Sequence, residues 1–570
     1  MKKSKSLLLI FALVLVIGSV LAGCGNNTNN ANNGKNANAG NTANTGNTAG
    51  DEKLAADQTL RLNMSADVPT FDPGQAQDSQ AHVALKLMYE GLVRVDKDGK
   101  EAPGVAEKWE VSADGLVYTF HLRDSQWSNG DPVTANDFVF AWKRVLDPAT
   151  VPAPPYAQQL YYLKNAEQFN KGEIKDFSEV GVKAQDDHTL VVTLKNPTAY
   201  FLNLMDFYTF YPVHKSVEGN DKWATETKSM ITNGPFNLTS WITGQSVEYT
   251  KNDTYWDKDN VKLTKITSTI VNEASTEVLS YKNGEIDRAG APNGDIPPDQ
   301  VPVLKTELPD DFTLKPVASI YYYEFNTLAE PFDNANIRKA FAMAISRQDI
   351  VDKVTLASQT PAFGYIPPGI KGSTDAGDYR SEYKDDYFTE DYAEAKKLLE
   401  LGMKEKGYTT LPPVTLIYNT SEGHKKIALA IADMWKNNLG VEVKTENQEW
   451  GVFIENRQNG DYQVARAGWN PDYNDPMTFM DMWKKGNGNN DIKFDNPEYD
   501  KLLDEAFSEV DNAKRMANFR KAEEILIKDQ MGIMPIYYYT NVSLVKPYLK
   551  GVSVGYDGAV DYSKVYLLEH

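Results

Sequence analysis

Trp127-Ser128-Asn129-Gly130-Asp131-Pro132-Val133-Thr134-Ala135-Asn136-Asp137-Phe138 packs a change of local structure into a short run. Asn129-Gly130-Asp131-Pro132 is turn chemistry: glycine reaches positive φ without a Cβ clash, and proline cannot extend a strand ladder. Behind the turn, Thr134 can cap a helix through Asp137. Ahead of it, Leu116-Val117-Tyr118-Thr119-Phe120-His121-Leu122 alternates and is rich in β-branched and aromatic residues, so it reads as a strand. Strand, turn and helix thus follow one another between Gly115 and Phe140.

The alternation recurs downstream. Ile337, Ala340, Phe341, Ala344 and Ile345 share one helical face, as do Tyr392, Ala395, Leu398 and Leu399. For the second helix Thr389 is the expected N-cap and Gly402 the expected stop. Ile427, Ala430, Ile431, Met434, Trp435 and Asn438 predict another helix, closed by Leu439-Gly440, and Val441, Val443 and Thr445 then alternate as a strand. Helices interleaved with strands imply an α/β or α+β class. The body has no internal repeat, no second membrane-length apolar run and no sharp linker, so its lobes are expected to be discontinuous in sequence.

The N-terminus has a different character. A basic start, Met1 to Ser6, precedes an apolar run from Leu7 to Ala22. That run is shorter than the ~20 residues a spanning helix needs and has the layout of a signal peptide, expected over 1–23. It ends in Leu21-Ala22-Gly23-Cys24, which resembles a bacterial lipobox, and Cys24 is the one cysteine in the sequence. Lipidation of Cys24 on the extracytoplasmic face of the cell membrane is the expectation. Residues 24–53 are mostly Asn, Gly, Ala and Thr, too poor in large apolar side chains to offset ordering entropy.

The chain has 570 residues and a net charge of −20, which disfavours a nucleic-acid or anionic-membrane binder. Its membrane association is expected through the lipid alone. The 31 tyrosines and 10 tryptophans supply buried area with a polar handle, suiting both a core and a pocket. The six histidines show no metal-ligand spacing, and there is no P-loop, dinucleotide fingerprint or nucleophile elbow. With 79 acidic residues carboxylate pairs are unavoidable, so counting does not exclude a glycosidase, but no local signature supports one. No cofactor, metal or catalytic residue is expected.

The segment Gly104 to Glu110, the run Tyr118 to Arg123, the opening stretch and Asp147-Pro148 together resemble the oligopeptide-binding proteins of bacterial ABC importers, solute-binding family 5. The resemblance returns at Asn283 to Asp287, Tyr321 to Glu324, Tyr418 to Ser421 and Asn447 to Trp450. It is densest at Ala465-Arg466-Ala467-Gly468-Trp469-Asn470-Pro471-Asp472-Tyr473-Asn474, and reappears at Tyr537-Tyr538-Tyr539. It implies a three-lobed periplasmic-binding-protein type II fold with a two-strand hinge and a closing cleft. Lobe I would comprise 54–89, 217–318 and 541–570, lobe II 90–216 and lobe III 319–540. The implied protein is a monomeric receptor of short peptides serving an ABC permease.

A peptide presents an ammonium and a carboxylate, and burying either without a partner costs several kcal/mol. The resemblance assigns the ammonium to Asp472 and the carboxylate to Arg466, with His424 and Arg457 as further basic groups. It places Trp450, Trp469, Tyr156, Tyr322, Glu324 and Tyr539 on the pocket wall. Gln77, Asp78, Ser79, Gly468 and Asn470 would flank the ligand as strand partners. Two departures stand out: Thr355 where the family can place a lysine, and Gly290-Ala291-Pro292 where it can have Tyr-Asn-Asn. A receptor for a dipeptide, opine, metal complex or sugar on the same fold, or an extracellular hydrolase, remains the competing reading.

Overall fold

The computed structural model describes residues 53–570 except 97–98, 221 and 375–376. The apolar leader, Cys24 and the Asn/Gly-rich segment through residue 52 lie outside the described residues.

The stretch around Trp127 folds as strand, turn and helix. Val117–Leu122 is a strand of alternating burial. Around the turn Trp127 N donates to the Asp131 carbonyl at 2.8 Å, and Gly130 takes a φ of 89°. The helix Ala135–Leu146 starts from a reciprocal cap, in which the Asp137 carboxylate accepts from Thr134 N at 2.7 Å. Trp127, Phe138 and Trp142 are fully buried, and Phe138 alone contributes about 1.5–3 kcal/mol of apolar burial.

Three sheets of four or more strands organise the described residues, beside two small two-stranded ones. In one, Thr59–Met64, Lys265–Ile270, Ser246–Lys251 and Phe236–Ile242 lie side by side in that order. In another the order is Ala106–Val111, Val117–Leu122, Thr189–Thr193, Val182–Asp186. The strands of the largest sheet are β1 (Arg288–Gly290), β2 (Phe312–Phe325), β3 (Thr360–Pro361), β4 (Val414–Asn419), β5 (Val443–Gln448), β6 (Val464–Trp469) and β7 (Ile533–Val545). They run in the order β1-β7-β2-β6-β4-β5, with β3 on β7.

Two registers matter for the site. The long antiparallel pair β2/β7 breaks register between Pro316 and Ile320. Strand β6 pairs with β2 along its whole length, from Ile320↔Trp469 to Phe325↔Val464. On its other side it meets β4 only at Leu416↔Val464 and Ile417↔Ala465. The backbone from Arg466 to Trp469 is therefore laddered on one side only.

The period of two along β2 sorts its tyrosines. Tyr321, Tyr323 and Phe325 pack against Ile337, Phe341, Ile427 and Trp435. Tyr322 faces the opposite way, with its ring 5.3 Å from Tyr365 and 6.1 Å from Trp483.

One helix end differs from its sequence reading. Tyr392–Lys406 is capped by Asp391, which accepts from Ala393 N and Glu394 N at 3.0 and 2.9 Å, rather than by Thr389. It stops at Gly407, with φ 71°, and not at Gly402. A Cβ on Gly402 would stand 2.6 Å from Ile337 Cγ1, so this glycine permits a close helix contact instead of ending the helix. Glu422–Leu439 does end at Gly440, in the left-handed region. Among the described residues no helix is long and apolar enough to cross a membrane.

Candidate functional site: a cavity with separated charges

A cavity of ≈ 410 Å³ is lined by segments far apart in sequence. Its wall takes Gln77, Asp78 and Ser79 from the entry to helix α1 (Ser79–Met88) and Tyr156 from a short helical turn. His424 comes from the first turn of α2 (Glu422–Leu439), and Trp450 and Arg457 from α3 (Trp450–Asn459). Arg466, Gly468, Trp469, Asn470 and Asp472 follow along β6 and its exit, and Tyr539 stands on β7. The Arg466 and Asp472 Cα atoms are at most about 22 Å apart, since an extended residue advances ~3.3–3.6 Å.

At one end stands Arg466. Its Nη2 donates to the Tyr539 hydroxyl at 2.6 Å, and its guanidinium lies 4.7 Å from the Tyr321 ring centroid. Among the described residues it makes no ion pair; its remaining polar neighbour is Asn419 Oδ1 at 3.5 Å. Gly468 keeps this corner open, because a Cβ there would come within 3.2 Å of both Arg466 Nη2 and the Tyr539 hydroxyl. His424, at N3 of a helix capped by Ser421, brings Nδ1 to 3.3 Å from the Tyr321 hydroxyl. Burial, then the Arg466 charge, hold its imidazole well below the usual histidine range.

At the other end stands Asp472, which accepts from Gln159 Nε2 at 3.0 Å. Burial, with repulsion from Asp481, pushes its carboxyl well above the usual carboxylate range. No cation pairs with it among the described residues. Tyr156 lines the same end, with its ring 6.5 Å from that of Trp469. Trp469 Nε1 is buried and has no hydrogen-bond partner among the described residues.

Between these ends, Asp78 caps α1 by accepting from Gln80 N and Ala81 N at 3.0 and 3.1 Å, and burial raises it to about 6. Gln458 Nε2 donates to Gln77 Oε1 at 2.7 Å, tying the start of α1 to α3.

Three residues stand differently from their sequence reading. Arg457 reaches the wall, but its Nε and Nη2 donate to the two Glu324 oxygens at 3.0 and 2.6 Å, and Nη2 lies 3.0 Å from Asp491 Oδ2. Its charge is already met. Glu324 is fully buried behind it, and Tyr322 sits in the core; neither lines the cavity. The alternation of β2 turns both onto the face that carries Tyr365 and Trp483.

Two residues of the site carried no motif in the sequence. Gln159 orients the Asp472 carboxylate across a long sequence separation. Asp295 lines the cavity from the loop after β1, the loop flagged through Gly290-Ala291-Pro292. Departure from a pattern was the one sequence signal that pointed there.

The model of the middle region of bacterial extracellular solute-binding proteins, family 5, matches residues 100–491. The oligopeptide-binding protein OppA of Bacillus subtilis is 43% identical over 516 residues, covering 89% of this chain and 92% of that protein. The crystal structure of Haemophilus influenzae OppA in complex with RPPGFSPFR superposes with a TM-score of 0.83 at 36% identity, covering 91% of this chain and 100% of that one. The Escherichia coli murein tripeptide binding protein MppA gives a TM-score of 0.83 at 34% identity over 91% of this chain and 100% of its own. Its unliganded open form gives 0.60 at the same identity, over 91% and 99%. The chain thus superposes better on the first MppA structure than on its open form. The chain belongs to family 5 of the bacterial extracellular solute-binding proteins and has that family's type II binding-protein fold.

Proposed function

We propose that this protein captures short peptides outside the cytoplasm and delivers them to an ABC-type importer, without converting them. One observation carries the reading: a buried cation, Arg466, and a buried carboxylate, Asp472, neither in a salt bridge among the described residues, share one cavity. Each is costly alone, and a zwitterion of the right length offsets both costs at once. The pair favours a peptide over the sugar or metal complex that the same fold can hold.

The peptide backbone joins the one-sided ladder of Arg466 to Trp469 as an added strand, with Asn470 continuing it and Gln77, Asp78 and Ser79 on the far flank. Main-chain hydrogen bonds are common to all peptides, so they give affinity with little sequence selectivity. Trp450, Trp469, Tyr156 and Tyr539 wall the side-chain space. Three lobes, 54–89 with 217–318 and 541–570, 90–216, and 319–540, close on the ligand. The register break of β2 and β7 between Pro316 and Ile320 supports a hinge there. Two acyl chains on Cys24 hold a monomeric receptor at the membrane, since one chain anchors weakly.

Native mass spectrometry of the purified protein tests this. The expected result is an added mass resolving into short peptides that stay intact over hours of incubation. A non-peptide solute, or progressive cleavage, overturns the reading.

A further inference from the structure

The loop after β1 is held by a buried acid. Glu277, in the helix Ala274–Lys282, accepts from Gly290 N at 2.7 Å through one oxygen and from Asp295 N at 3.0 Å through the other. Gly290 has a φ of 84°, and a Cβ there would stand 2.3 Å from the Val542 carbonyl, so the loop lies tight on β7. These contacts present the Asp295 carboxylate to the cavity. Its oxygens meet only Ile296 N at 2.9 Å and the Ser421 hydroxyl at 3.4 Å. Among the described residues Asp295 makes no ion pair.

Asp295 shares its corner with Arg466. Asp295 Oδ2 meets the Ser421 hydroxyl at 3.4 Å, Ser421 caps the helix whose His424 lies 3.3 Å from the Tyr321 hydroxyl, and the Arg466 guanidinium lies 4.7 Å from that Tyr321 ring. A cation and an anion thus line one cavity without a salt bridge between them among the described residues. A plain peptide carboxylate would satisfy Arg466 while bringing a like charge beside Asp295, which is unfavourable. A carboxyl-terminal residue with a cationic side chain brings both complementary charges at once. The rest of the wall points the same way: it carries five aspartates and two arginines, and Arg457 is spent on Glu324 and Asp491.

We propose that the cavity selects peptides ending in lysine or arginine, with Asp295 as the specificity-determining residue that takes the side-chain cation beside Arg466. This rests on the peptide reading above. Calorimetry with Ala-Ala-Ala-Lys and Ala-Ala-Ala-norleucine tests it. The wild type is expected to bind the lysine peptide about tenfold or more tighter, the scale of one charge-assisted contact. Asp295→Asn should erase most of that difference, weakening the lysine peptide and binding the norleucine peptide somewhat tighter as the like-charge repulsion is relieved. Asp295→Lys should turn the preference toward Ala-Ala-Ala-Glu. Equal affinity of the wild type for the lysine and norleucine peptides, or an undiminished preference in Asp295→Asn, overturns the inference while the peptide reading stands. Binding of neither peptide by the wild type sinks both.

Discussion

Arg457 donates through Nε and Nη2 to both carboxylate oxygens of the fully buried Glu324, whereas Arg466, on the same cavity, has no carboxylate partner among the described residues. The two arginines look alike in sequence. Their surroundings give them different tasks: one completes the core, the other is left to a ligand.

Substitution should separate these tasks. Arg457→Met strands the Glu324 carboxylate and should cost about 3–5 kcal/mol of stability, read as a lowered melting temperature. Arg466→Met breaks no salt bridge among the described residues, so the fold should melt near the wild-type temperature. Its affinity for peptides with a free carboxylate should fall by about 10–100-fold, from the loss of a buried charged hydrogen bond. Equal melting of the Arg457→Met variant and the wild type would contradict the assignment.

Asp472→Asn tests the other end. The variant keeps an acceptor for Gln159 and loses the charge. It should bind free and N-acetylated forms of one peptide alike, whereas the wild type distinguishes them. A variant that still prefers the free amine would move the ammonium site elsewhere.

The pH dependence has a defined sign. An unfolded Asp472 ionises near pH 4, and burial holds the folded, peptide-free group well above that. The folded protein therefore binds the proton more tightly than the unfolded chain, and this group's contribution to peptide-free stability declines as pH rises through that window. Asp78, raised by burial to about 6, acts in the same direction. A peptide ammonium reverses the preference at Asp472, so binding should release a proton. The affinity should climb with pH until the peptide's own amine, with a pKa of about 8, begins to lose its proton. Melting curves with and without peptide between pH 5 and 7.5 should diverge as pH rises, and the divergence should shrink in Asp472→Asn.

Gly402 gives a prediction about the fold alone. A methyl group at Gly402 meets Ile337 Cγ1 and Asn334 Oδ1 at 2.6 and 2.8 Å. Gly402→Ala should therefore destabilise by about 1–3 kcal/mol despite the better helix propensity of alanine. Unchanged chemical-denaturation midpoints would show that the helices can separate there at no cost.

What could be read in sequence follows the range of the interactions. Local signals carried well: the Thr134 and Asp137 cap, the Gly130 turn and the Gly440 stop all depend on neighbours within a few residues. The expected stop at Gly402 does not hold, because that glycine serves a close contact with Ile337, far away in sequence, and the helix runs on to Gly407. Thr389 lost the cap to Asp391, an equally good capping residue two positions on. Arg466 and Asp472 were found through the density of one motif. The pairing of Arg457 with Glu324, the contact of Gln159 with Asp472 and the arrival of Asp295 in the cavity are set by chain crossings that no local pattern encodes.

The central claim is that one cavity holds both ends of a peptide. Titration calorimetry with four forms of a single tetrapeptide, free, N-acetylated, C-amidated and doubly blocked, measures it directly. Each block should weaken binding by about tenfold or more, as loss of a charge-assisted contact in a buried site requires, with the doubly blocked form weakest. Four equal affinities would contradict the account.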